Sequence, residues 1–126
     1  MRHERHYTPE QASAALGRVS ELLGQMRDAR ERLNDEEARE ALSEAGPTNG
    51  GGAPGRVISE AFLHLRSALV ELQAMEVVLR DLERGLVDFP SLREGDEVYL
   101  CWVESEEEDI AHWHPLDTGF GGREAL

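Results

Sequence analysis

The 126-residue chain contains no lysine, a single cysteine, and no apolar run near the roughly 20 residues that a membrane-spanning helix needs. One cysteine cannot close an internal disulfide, which agrees with a reducing compartment. The opening Met1-Arg2-His3-Glu4-Arg5-His6 is polar throughout and lacks the apolar stretch of a secretory signal, so the expected location is cytoplasmic. Positive charge is scarce as well: 13 arginines face 26 acidic residues, for a formal net charge of −13. Displacing counterions from a phosphate backbone takes a basic face, so no nucleic acid is expected as a partner, and an acidic chain is repelled by anionic membranes. Basic proteins and cations remain compatible with that charge. The run from Gly46 to Gly55 is rich in glycine and proline, but no strand precedes it and no Gly-Lys-Ser/Thr follows, which excludes a phosphate-cradling loop. The acidic stretch from Glu104 to Asp109 lacks the Asp-x-Asp-x-Asp-Gly pattern of a calcium loop and reads as a solvated turn that protects a sheet edge.

What is present begins with helices. Thr8-Pro9-Glu10-Gln11 offers an N-cap threonine, a proline at the first helical position and a glutamine where a capping-box partner belongs. From there Ala12, Leu16, Val19, Leu23, Met26 and Leu33 recur mostly every three or four residues, with Arg30 in one slot. The spacing predicts a helix from Thr8 to about Ser43, thinning in apolar content beyond Leu33. Residues 46–55 read as a flexible connector. A second helix is expected over 56–84, along Ile58, Phe62, Leu65, Leu69, Leu72, Met75, Leu79 and Leu82, with Gly85 as its C-cap. Val57, Ala61, Ala68, Val77 and Val78 widen its stripe beyond a two-stranded seam, so the antiparallel helical hairpin is expected to dimerise as a four-helix bundle.

After Gly85 the rhythm changes. Leu86 to Pro90 is extended, and Glu97–Val103 and Asp109–His114 read as two strands joined by the acidic turn, a small β region over 86–116 followed by a loop-like tail over 117–126 in which Phe120 packs back on the sheet. Both tryptophans and the only cysteine gather there beside His112-x-His114. Because side chains alternate across a strand, the simplest register sets Cys101 opposite His112 and Tyr99 opposite His114. One face then carries Tyr99, Cys101, His112 and His114, and the other Leu100, Trp102 and Trp113 packed on the helices. Asp88 and Asp117 are within reach to supply a carboxylate.

Three chemistries suit that face. Two histidines and a cysteine with a carboxylate or water suit tetrahedral zinc. Two histidines and one carboxylate suit ferrous iron. A cysteine beside a histidine suits an activated thiolate nucleophile. The metal set is Asp88, Cys101, His112, His114 and Asp117, while a small-ligand site would draw on Tyr99, Trp102, Trp113 and Arg123. Packing alone also accounts for these residues, since tryptophan and tyrosine fill the core of a small sheet and a lone cysteine behaves as a small hydrophobe. His3 and His6 are expected to be disordered, and His64 to sit on a helix flank.

The phrases Gly85-Leu86-Val87-Asp88-Phe89-Pro90, Glu97-Val98-Tyr99-Leu100-Cys101-Trp102, Ile110 with Trp113-His114, and Asp117-Thr118-Gly119-Phe120 with Arg123 resemble a bacterial family catalogued as domain of unknown function 2203. The opening Tyr7-Thr8-Pro9-Glu10-Gln11-Ala12 is similar to that family's start. The resemblance covers nearly the whole chain and implies no activity. It does imply that a shared site rests on Asp88, Cys101, His114, Asp117 and Arg123, because His112 stands where the family takes other residues. Arg123 equally suits an ion pair closing the tail over the sheet.

The expectation is an α+β chain, a long antiparallel helical hairpin with a small C-terminal β-hairpin at its open end. With no recognisable catalytic set, it reads first as a non-enzymatic, cytoplasmic interaction or scaffold module, a homodimer with room for a protein partner. The second reading is a protein that binds zinc, iron or a small ligand at the C-terminal sheet, and that extends to an enzyme.

Overall fold

Thr8 opens the first helix as its sequence demands. Its hydroxyl accepts the Gln11 N–H at 3.1 Å, and the Gln11 side chain accepts the Thr8 N–H at 2.9 Å, a reciprocal capping box. Helix α1 runs Pro9–Ser43, about 50 Å at 1.5 Å per residue, and helix α2 runs Ala53–Ala74. The computed structural model describes the backbone of residues 1–43 and 53–126 and the side chains of residues 1–35 and 60–126. The connector expected over 46–55 therefore lies outside the described residues, apart from 53–55, which open α2. Arg18 of α1 pairs with Glu71, and Arg32, about four helical turns further on, reaches back to His64. Those pairings make the helices antiparallel, and His64 sits exposed on α2's flank.

The second helix is shorter than its periodicity predicts. It ends at Ala74 rather than near Arg84, because Glu76 takes a left-handed backbone (φ 58°) that no helix continues. The chain turns there into strand β1, Val78–Asp81. Val77, Val78, Leu79 and Leu82 are thus sheet and turn residues whose spacing coincidentally continued the helical rhythm. Gly85 caps no helix. Its φ of 69° serves the turn from β1 into β2 (Leu86–Arg93). Phe62, expected in the apolar line, is 58% exposed, whereas Leu72 of that line and Ala61 and Ala68 of its widened stripe are buried as expected.

The β region is larger than a hairpin. β1, β2, β3 (Asp96–Val103), β4 (His112–Pro115) and β5 (Glu124–Ala125) form one antiparallel sheet in sequential order. β2 and β3 meet at a two-residue turn, Glu94-Gly95, with φ of 53° and 85°, as the twist of a tight hairpin requires. Pro90, opposite Tyr99 of β3, is tolerated inside β2 because its backbone faces the other edge, where β1 pairs only as far as Asp88 and the Pro90 carbonyl is instead taken by the Tyr7 N–H. β4 is shorter at its start than expected, since Asp109 to Ala111 precede it as coil. The tail adds a short 3₁₀ turn, Phe120–Gly122, and β5.

One sheet face packs on the helices. Val87, Phe89, Leu100, Trp102 and partly buried Trp113 join Leu16, Val19, Leu22, Leu23, Met26 and Leu72 in a single apolar cluster. On the opposite face Leu86, Cys101 and Val103 lie under Phe120, the packing predicted for the tail.

The N-terminal residues are ordered, against expectation. Glu97 accepts the backbone N–H groups of Arg2 (2.7 Å) and His3 (3.0 Å), and Glu76 those of Glu4 (3.2 Å) and Arg5 (2.6 Å). His6 Nε2 lies 2.8 Å from Glu97, and Tyr7 donates its N–H to the Pro90 carbonyl at 2.7 Å. Two carboxylates, each gripping consecutive amides, hold this segment as a strap across the end of the sheet.

Candidate functional site

Asp88 on β2 is the ladder partner of Cys101 on β3, and β4 sets His114 opposite Tyr99 and His112 opposite Cys101, the register that strand alternation predicts. All these side chains fall on the face turned away from the helices. Asp88, Cys101 and His114 converge: one donor atom of each lies within 4.8 Å of the others, and all three residues are buried.

The hydrogen bonds around His114 constrain what lies between these groups. Its Nδ1 is 2.7 Å from the Pro115 carbonyl, which only accepts, so Nδ1 carries a proton. Its Nε2 faces Asp88 Oδ1 at 3.0 Å. An imidazole lone pair and a carboxylate oxygen repel at that distance. A positive centre, either a proton or a metal ion, is therefore required between them. The second oxygen, Asp88 Oδ2, accepts the Nε–H of Arg80 on β1 at 2.9 Å. Both groups are thus oriented from behind, His114 by a backbone carbonyl and Asp88 by a guanidinium. The Tyr99 ring packs against His114 with centroids 5.5 Å apart, the Arg80 guanidinium lies 5.3 Å from the same ring, and the Tyr99 hydroxyl meets His3 Nε2 at 2.7 Å.

Burial pushes the Cys101 thiol up to about 12, with the Asp88 carboxylate adding to the effect. That is the reverse of what an activated nucleophile shows. Coordination to a metal ion overrides such a shift, because a ligating thiol is deprotonated outright.

The other expected residues separate. His112 stands with Glu107, its Nδ1 2.8 Å from Oε1, and the same oxygen accepts Arg123 NH1 at 2.9 Å. Arg123 also lies 4.2 Å from the Phe120 ring centroid, so it closes the tail over the sheet by pairing with a glutamate rather than with Asp88 or Asp117. The second oxygen of Glu107 and His112 Nδ1 are both buried without a hydrogen-bond partner among the described residues, so the His112–Glu107 approach is an ion-pair distance and not a formed hydrogen bond. Asp117 is exposed and lines a cleft of about 360 Å³ together with Asp88, Arg80 and Phe120. Trp102 and Trp113 belong to the helix-facing core, and Trp102 donates its Nε1–H to the Glu107 carbonyl at 3.1 Å. They share no face with the Asp88 group. Glu106, Glu104 and Glu107 of the acidic turn are engaged by Arg84, Arg27 and Arg123.

Arg80, expected inside a helix, and Glu107, expected in a solvated turn, both join the site against the sequence pattern. The β-branched pair Val77-Val78 was the available signal for a strand beginning near Arg80.

A family described as uncharacterized conserved protein (DUF2203) matches this sequence over residues 5–126, and the chain belongs to it. No curated protein and no solved structure matches the chain. Among the described residues, no helix is long and apolar enough to cross a membrane.

Proposed function

From a chain whose family carries no assigned activity, we propose a metal-binding protein in which Asp88, Cys101 and His114 hold a zinc ion. The observation that carries this is the approach of His114 Nε2 to Asp88 Oδ1 at 3.0 Å with Nδ1 committed to a carbonyl. Metal-ligating histidines characteristically donate their other ring N–H to a carbonyl or carboxylate, and ligating carboxylates are themselves hydrogen-bonded, as Asp88 is by Arg80. The mixed sulfur, nitrogen and oxygen donors suit zinc. Ferrous iron is disfavoured because its two-histidine set is not assembled: His114 joins Asp88 and Cys101, and His112 lies outside that group.

The test is elemental analysis of protein purified without a histidine tag, followed by zinc titration after chelation. Near-stoichiometric zinc that His114→Ala and Asp88→Asn both abolish is the expected result. Wild-type protein that takes up no zinc, or holds it equally well as His114→Ala, refutes the assignment.

A second reading, self-association through α2, is favoured by Phe62, Leu63 and Val70, which stand 58%, 57% and 52% exposed on one helix. A helical dimer burying them is the simplest form of the interaction-module reading. Sedimentation of wild type against Phe62→Glu/Val70→Glu decides it: a dimer that the double substitution dissociates supports the reading, and a wild-type monomer ends it.

A further inference from the structure

Cys101 and His114 are fully buried and Asp88 nearly so, and a metal ion reaches them only if part of the structure moves. The helix-facing side of the sheet is sealed by the main core, so access runs through what covers the outer face. Much of that cover is the C-terminal tail. Phe120 packs on the buried patch of Leu86, Cys101 and Val103, and residues 116–120 line a cleft together with Asp88.

The tail is held more weakly than what it covers. None of residues 115–126 is buried. Its ladder to β4 is two residues long, His112 with Ala125 and Trp113 with Glu124. The Arg123–Glu107 pair holds it down, as do the Arg84 and Arg123 guanidiniums, 4.8 and 4.2 Å from the Phe120 centroid. Gly119 stands at φ 67°, ψ −164°, a conformation essentially confined to glycine. Few buried contacts on a glycine-rich turn mark a segment that opens locally, well below the cost of global unfolding. The tail is also joined to the site: the Pro115 carbonyl that accepts from His114 Nδ1 at 2.7 Å accepts the Thr118 N–H at 3.4 Å.

Resting on the zinc reading, we propose that the tail from Asp117 to Arg123 is a lid over Asp88, Cys101 and His114, whose opening with the sheet intact sets the rate at which metal enters and leaves. Opening lifts Phe120 from its patch and joins the cleft beside Asp88 to the Cys101 thiol.

The metal-free full chain provides the test, through iodoacetamide labelling of Cys101 in urea below the unfolding transition, read by mass spectrometry. Slow labelling at a rate that urea hardly changes is the expected wild-type result, since a local opening exposes little surface. Hydrogen exchange at the Gly122, Arg123 and Leu126 amides should report the same opening. Two variants loosen the lid by different means. Arg123→Gln removes the pair with Glu107, and Gly119→Ala strains the closed backbone while its methyl meets nothing. Each should speed labelling at least tenfold with little change in the urea midpoint, and each should speed zinc release to an excess of chelator. Leu16→Ala, in the main core, should lower the midpoint and leave the labelling rate alone. Labelling that climbs with urea along the global unfolding slope, or that both loosened variants leave unchanged, overturns the lid. So does zinc release indifferent to both variants, and in that case the zinc site itself stands. Local labelling in a protein that takes up no zinc keeps the lid and ends the zinc reading.

Discussion

Replacing Asp88 with asparagine separates the folding role of this residue from its proposed role as a metal ligand. Asp88 and His114 are 2% and 1% exposed at their side chains, so removing one partner outright leaves the other buried and unpaired. That loss is worth about 3–5 kcal/mol, the expected cost of Asp88→Ala. Asparagine behaves differently. Its carbonyl oxygen turns to the Arg80 Nε–H, and its amide N–H donates to the His114 Nε2 lone pair, while the histidine proton stays on Nδ1 facing Pro115. Both hydrogen bonds survive in weaker form, at a cost of about 1 kcal/mol. Zinc, however, loses an anionic ligand. On the zinc proposal, the metal at 100 times its dissociation constant would stabilise wild-type protein by about 2.7 kcal/mol. For a chain of this length that is roughly 8–13 °C in Tm. Thermal unfolding followed by circular dichroism, with zinc and with chelator, reads all of this at once. Chelated Asp88→Asn should melt a few degrees below chelated wild type, Asp88→Ala much lower, and zinc should raise only the wild type. A zinc-dependent rise in Asp88→Asn equal to that of wild type refutes the ligand role, and an Asp88→Ala protein as stable as Asp88→Asn refutes the account of the buried pair.

Three further outcomes follow from the same geometry. Burial pulls the Glu97 carboxyl upward, but the His6 contact and the His3 and Arg2 amides outweigh it and hold the group at about 2 against an ordinary 4.5. Its grip on the strap is therefore complete above pH 4.5 and lost as pH falls through 2, and hydrogen exchange at the Arg2 and His3 amides, corrected for intrinsic rates, should lose protection over that window; at neutral pH Glu97→Gln should weaken the same protection. Gly85→Ala places a Cβ 2.5 Å from the Glu104 Cβ at a residue with φ 69°, so urea denaturation should show a loss of about 1–3 kcal/mol, and a neutral result would contradict the turn geometry. Cys101, buried and with its thiol at about 12, should resist alkylation in the folded metal-free protein and react once unfolded, which mass spectrometry after iodoacetamide treatment reads directly.

The parts of the fold that were legible in the sequence are those governed by local rules. The capping box at Thr8 and Gln11 formed because its partners are three residues apart. The pairings of Tyr99 with His114 and Cys101 with His112 followed from strand alternation and a hydrophobic helix-facing side. The end of α2 was hidden because apolar residues continue at helical spacing through Leu82, and the residue that breaks the helix, Glu76, is not a glycine. Its left-handed conformation coincides with a side chain that grips the strap, a tertiary contact that no local propensity reveals. The strap itself looked disordered because its order is supplied from 71 to 95 residues away. In the candidate site, Asp88, Cys101 and His114 were singled out by type, but Arg80 was masked by the misplaced helix, and the separation of His112 from His114 depends on Glu107 arriving from the acidic turn.

The meander order of the sheet bears on when the site comes into being. Asp88 and His114 are 26 residues apart, with Cys101 between them, and every strand that carries a donor is the direct neighbour of the next. Closing loops of that size is cheap in chain entropy compared with docking α1 against the sheet or seating the strap. The three donors can therefore meet as soon as β2, β3 and β4 zip together, ahead of the remainder of the tertiary structure. A metal ion captured at that moment would act as an early rivet, making hairpin assembly the step whose rate responds to zinc while the helices close over a sheet already committed to its register.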